Sequence, residues 1–142
     1  MKKRKPLRQK SIRKTTMKTA LDVAEQAWKD AVKRRAKGIC EVHGEACQGA
    51  VMQADHFRTR THKWTFLMVE NGTYVCAGLN QNKAWGVNNA AEQIAFVVLK
   101  REGQDMTNYL LEKRPYPKKF TVGELDTIAY ELNGMFLQDG GG

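Results

Sequence analysis

No stretch of the chain comes near the roughly 18 consecutive apolar residues that a membrane helix needs, so a bilayer span is not expected. The cationic N-terminus is not followed by an apolar run, which argues against a secretory signal. Cysteine is scarce. Three thiols cannot all pair within one chain, so a disulfide framework is not expected, and a reducing cytoplasm with thiols free or on a metal fits better. There are no internal repeats, and no motif of a dedicated single-strand RNA module is present. Acidic residues are missing altogether from residues 1–18, which hold nine of the 24 Lys and Arg. The rest of the chain carries fifteen of each sign, so the whole formal charge of +9 sits in that first segment. Residues 1–18 therefore read as a flexible basic arm on a near-neutral body. Attraction to nucleic-acid phosphate is the functional reading of the arm, and a solubilising tail is the plainer one.

What is present is enough for one domain, over residues 19–138, with a core at 39–86 and a helical part at 88–138. Leu21, Ala24, Ala27, Trp28, Ala31 and Val32 recur at helical steps and predict a helix from Thr19 to Lys37, stopped by Gly38. Its basic end (Lys33, Arg34, Arg35, Lys37) suits the helix dipole or a contact with DNA. A turn-rich stretch holds Cys40, His43 and Cys47. Residues 50–57 read as a strand, Glu70-Asn71-Gly72 as a turn, 73–76 as a second strand and 78–84 as a short helix. Three further helices are expected over 88–101, 106–113 and 121–137. The first has Ala91, Ile94, Ala95, Val98 and Leu99 inward, Pro115 and Pro117 break the second, and Thr121 with Glu124 caps the last as a capping box. Gly140 to Gly142 should be loose. The pattern is α+β: helix, Cys/His knuckle, β-β-α, then helices. Trp28, Trp64 and Trp85 read as core or lid residues, with base stacking as the alternative.

The chemistry lies between Cys40 and Lys83. Hydrolysis of a phosphodiester needs a base for water, charge neutralisation at the phosphate and in-line positioning. His56 can be the base. Asp55 and Asn80, 25 residues apart, offer oxygen ligands to a hard divalent ion such as Mg²⁺ or Mn²⁺ if a β-β-α hairpin brings them together. Asn71 can hold the loop of His56 by side-chain bonds to backbone. Arg58, Arg60, His62 and Lys83 are candidate DNA contacts near the cut, and Lys2, Lys3, Arg4 and Lys5 are candidates in the arm. Each residue alone is an ordinary structural one; the weight comes from their order.

The segment from Ala54 through Asp55-His56 to Arg60, then Glu70-Asn71, then Cys76-x-x-Leu79-Asn80-x-x-Lys83, resembles the motif of HNH (ββα-metal) endonucleases. The flanks over residues 28–134 look like phage NinG/Rap-type recombination endonucleases. The resemblance implies metal binding by Asp55 and Asn80, a general base at His56 and an orienting Asn71. It also implies a phage-encoded nuclease acting on DNA, including branched DNA, in a bacterial host. Many such proteins brace the hairpin with two Cys-x-x-Cys knuckles. Here Leu79 stands at the fourth cysteine position, and His43 could supply the missing ligand of a Cys40, His43, Cys47, Cys76 zinc site; buried free thiols are the alternative. One hairpin makes one cut, so cleavage of both strands would need a homodimer or two binding events. The competing function is a non-catalytic, zinc-stabilised DNA-binding accessory protein.

Overall fold

The computed structural model describes residues 16–47 and 50–137. Residues 1–15, which include Lys2, Lys3, Arg4 and Lys5, lie outside the described residues, as do Gly140 to Gly142. Helix α1 spans Met17–Ala36 and begins two residues before the expected Thr19. It ends where Lys37 and Gly38 both turn left-handed, at φ 56° and 73°. Ala20, Ala24, Ala27, Trp28, Ala31 and Val32 form its buried face. Four of these six are alanines, which let a second helix approach closely. That helix is α5, Val122–Asn133, packed through Leu125, Ala129 and Leu132.

The expected capping box is present. The Thr121 hydroxyl accepts from the Glu124 N–H at 3.1 Å, and Glu124 Oε1 accepts from the Thr121 N–H at 3.1 Å. At its other end α5 stops at Asn133, not at Leu137. Arg34 of α1 closes that end by donating to the carbonyls of Leu132 and Met135 at 2.8 and 2.9 Å.

Between these helices and the rest lies a two-stranded antiparallel sheet, β1 (Met52–His56) against β2 (Gly72–Cys76), in the register Met52–Cys76 to His56–Gly72. All five residues of β2 are buried, because the strand has apolar matter on both faces. Tyr74 joins the α1/α5 core. Val75 and Cys76 join a second core with Cys40, Leu79, Ile94, Val98 and Leu110. Helix α2 (Ala77–Trp85) follows β2 without a loop, and α3 (Ala90–Glu102) and α4 (Gln104–Leu111) are split by Gly103 at φ 90°. Among the described residues the fold is thus α+β, with five helices and one small hairpin.

The inward face of α3 differs from the expectation. Ala90, Ile94 and Val98 are buried, whereas Ala91 and Leu99 are exposed. Asn88 and Asn89, both left-handed at φ 56° and 54°, delay the helix start and set a strict four-residue stripe from Ala90. Among the described residues no helix is long and apolar enough to cross a membrane.

Candidate functional site

Asn71 sits in a single 3-10 turn, Val69–Asn71, immediately before β2, and is fully buried. A buried amide must find partners. Its Oδ1 accepts from the Arg58 N–H at 2.8 Å, its Nδ2 donates to the Arg58 carbonyl at 3.0 Å, and its own carbonyl accepts from the Phe57 N–H at 2.7 Å. One residue thus pins the chain where it leaves Asp55 and His56.

The turn around Asn71 is itself clamped by two arginines. Arg35 of α1 donates to the carbonyls of Val69 and Gly72 at 2.7 and 2.6 Å, and Arg101 of α3 to those of Glu70 and Gly72, both at 2.9 Å. Glu41 balances their charge, lying 2.7 Å from Arg35 and 3.1 Å from Arg101, and also accepts from the Tyr74 N–H. Arg34 and Arg35, read in the sequence as dipole partners or DNA contacts, face protein carbonyls in the structure.

His56 lies opposite Gly72 across the hairpin. Gly72 is extended (φ −101°), so close approach and not a turn requires it. A Cβ there would come within 2.3 Å of Val32 Cγ2 and 2.8 Å of Trp28 Cζ2. The indole of Trp28 uses that space. Its Nε1 donates to the Met68 carbonyl at 2.8 Å, and its ring stacks on the His56 imidazole at 3.9 Å with an interplanar angle of 3°. Phe66 covers the other side at 5.1 Å. The half-buried imidazole is thus held between two aromatic rings. Its Nε2 is buried without a hydrogen-bond partner among the described residues. Burial, and then the positive charges of Arg60 and Lys83, lower its pKa to about 4. The ring is neutral at pH 7.

Asp55 precedes it with its side chain on the other face, nearly buried. Lys83 of α2 reaches down and places Nζ 2.7 Å from Asp55 Oδ2 and 2.8 Å from the His56 carbonyl. Burial raises the Asp55 pKa, and the ammonium of Lys83 opposes the rise. Asn80, one turn earlier on α2, donates through Nδ2 to Oε1 of Gln53, which is two residues before Asp55 on β1. Asn80 and Lys83 on the helix therefore lie over Gln53 and Asp55 on the strand. Two of these contacts were not read from the sequence. Gln53 was signalled only by strand periodicity, and Lys83, expected on a DNA phosphate, is turned inward because a buried carboxylate needs a counter-charge.

The remaining basic candidates line the connection after β1. Arg60 pairs with Glu25 of α1 and lies over the Phe66 ring at 5.3 Å. Arg58 donates to the Leu111 carbonyl at 3.2 Å and touches the His62 ring.

On the far end of the hairpin Cys40, His43, Cys47 and Cys76 converge, with their ligand atoms all within 4.8 Å of one another. A tight turn makes this possible. The Gly44 N–H donates to the Cys40 carbonyl at 2.8 Å with Gly44 at φ 63°, and a short 3-10 turn (Glu45–Cys47) brings Cys47 back. His43 Nδ1 lies 3.2 Å from Cys47 Sγ and 3.6 Å from Cys76 Sγ. Burial opposes ionisation of Cys40, but the N–H groups of His43, Cys76 and Val42 aimed at its sulfur outweigh it and lower its pKa. Burial, followed by the neighbouring sulfurs of Cys76 and Cys40, pushes Cys47 up to about 11. Crowded thiolates repel, and a divalent cation among them removes the conflict. This Cys₃His group could hold a metal ion such as zinc.

Comparison of the chain with protein-family models, with curated proteins and with solved structures finds no match. The functional reading therefore rests on the geometry.

Proposed function

We propose that the protein is a metal-dependent DNA endonuclease of the HNH (ββα-metal) type, braced by a zinc ion on Cys40, His43, Cys47 and Cys76. The observation that carries the reading is the hairpin running directly into α2. It lays Asn80 over the strand that bears Asp55, while Asn71 pins the backbone just beyond His56.

Within this reading His56 is the general base. It is neutral at working pH, and its plane is fixed by Trp28 and Phe66. Because Nε2 is sealed, a proton taken from water goes to Nδ1. Asp55 and Asn80 would hold Mg²⁺ or Mn²⁺. The donor set fits a hard ion: Asn80 spends its N–H on Gln53, which leaves its oxygen, and Asp55 has one oxygen outside the Lys83 contact. When bound, such an ion would supply charge neutralisation at the phosphate and at the leaving oxygen. Lys83 answers the Asp55 charge when no ion is bound, and an ion on Asp55 would release it to meet phosphate.

One observation favours a second reading, that of a non-catalytic, zinc-stabilised DNA-binding protein: Asp55 is already paired with Lys83. Plasmid nicking separates the two. The wild-type chain should nick in Mg²⁺ or Mn²⁺. His56→Phe, which keeps a flat ring between Trp28 and Phe66, should lose nicking and retain duplex affinity within about twofold. Undiminished cleavage by that variant removes the mechanism, and absence of nicking by the wild type favours the second reading.

A further inference from the structure

The connection from α4 to α5 has no helix or strand and bends at Pro115 and Tyr116, and Pro115 and Pro117 stiffen it. It runs beside the loop that follows β1, and the two enclose a cleft of about 420 Å³. Arg58, Lys63, Lys113, Arg114 and Lys118 line it against one acid, Glu112. Arg58, Lys63 and Lys113 have no carboxylate partner among the described residues.

Two aromatic rings stand in this cationic setting. Trp64 is 43% exposed and Tyr116 is 74% exposed. The indole is held in place, since Nε1 donates to the Tyr116 carbonyl at 2.7 Å, and Lys118 Nζ lies 5.5 Å from its ring centre. Burying neither ring while fixing one of them is a poor use of tryptophan in a core, but it is what a stacking platform requires. The cleft also borders the site already described. Lys63 Nζ sits 4.5 Å over Phe66, the ring that stacks on His56, and Arg58 is the residue that Asn71 pins.

We propose that this cleft binds an unpaired nucleotide of a DNA strand, with the base stacked on Trp64 and Tyr116 and the adjoining phosphates on Arg58, Lys63 and Lys113. Base faces inside a duplex are covered by their neighbours, so only an unpaired base can use such rings. The cleft volume lies in the range of small-ligand sites, which suits one nucleotide. The site therefore selects DNA with unpaired residues next to the cut. It rests on the DNA-binding half of the reading above and not on the catalytic half.

The test is binding, read by fluorescence anisotropy without added divalent ion or chelator, so that neither cleavage nor a structural metal is disturbed. The probes are an oligo(dT) of about ten nucleotides and a blunt duplex of similar length. Tyr116→Ala should weaken oligo(dT) binding roughly fivefold or more and leave the duplex within about twofold, and Tyr116→Phe should restore it. Oligo(dT) should quench tryptophan fluorescence in the wild type and in Trp85→Phe but not in Trp64→Phe. Equal loss on both probes, no loss with Tyr116→Ala, or quenching that survives Trp64→Phe overturns the proposal while duplex binding still stands. Failure to bind either probe overturns the DNA reading itself.

Discussion

At the scale of single residues, His56 sets two demands that oppose each other. Its ring is locked by stacking, yet Nε2 is buried without a hydrogen-bond partner among the described residues. The second demand has a pH signature. Above about 6.5 the ring is neutral in both the folded and the unfolded chain. Below that the unfolded chain takes up a proton that the folded chain refuses until about 4, so stability falls with pH across that window. Allowing for the partial exposure of the ring, the loss from pH 7 to 5 should be roughly 1–2 kcal/mol. Urea unfolding at both pH values, without added divalent ion, should show this fall in the wild type and a smaller one in His56→Phe. Identical falls would mean that the imidazole is not sealed as described. Asn71→Ala removes both bonds to Arg58 from a fully buried site and should cost about 2–4 kcal/mol in the same assay. The order of Asp55, His56, Asn71 and Asn80 was legible in the sequence because each is a residue type with a distinct chemical use. The sandwich by Trp28 and Phe66, and the Arg35–Glu41–Arg101 clamp, were not. They join positions up to 60 residues apart, as Glu41 and Arg101 are, through residue types found in any core or on any surface. Gly72 was read as part of a turn, whereas the structure needs it for the approach of Trp28.

Among the elements, β1 and α2 carry the most consequence, since their contact decides which cation Asp55 meets. The ammonium of Lys83 lies on that carboxylate, so an incoming divalent ion must compete with it. Lys83→Met should lower the melting temperature of the ion-free protein, because a nearly buried carboxylate then lacks a counter-charge. It should also enlarge the stabilisation by Mn²⁺, because the competitor is gone. A Mn²⁺-induced shift in melting temperature that is no larger in Lys83→Met than in the wild type would show that Asp55 does not face an ion site. The elements themselves were readable where local rules act: the alanine stripe of α1, the stop at Gly38 and the capping box of α5, although Lys37, read as helical, is already left-handed. Their phases were less so. Two left-handed asparagines turned the buried stripe of α3, and Phe136, left-handed at φ 55°, lies beyond the end of α5.

Across the whole molecule, the Cys/His cluster ties the segment after α1 to the end of β2, which is where the second core begins. If zinc fills it, folding and metal binding are one equilibrium. The purified chain should carry about one zinc, and a strong chelator should lower its melting temperature by ten degrees or more. A zinc-free protein that melts unchanged would leave the cluster as packed thiols. The charge is distributed on the same scale, and its test needs no catalysis. The body is neutral overall, with fifteen charges of each sign after residue 18, while eight Lys and Arg lie within residues 2–15. Each cation that neutralises a duplex phosphate contributes about 0.9 to the slope of log affinity against log salt concentration. Deleting residues 2–15 should therefore flatten that slope by several units, to a limit of about seven. The preference of the cleft for unpaired over paired strands should survive the deletion, because Trp64 and Tyr116 belong to the body. A slope that the deletion does not change would place the phosphate contacts on the loop after β1 and assign the basic segment a role away from DNA.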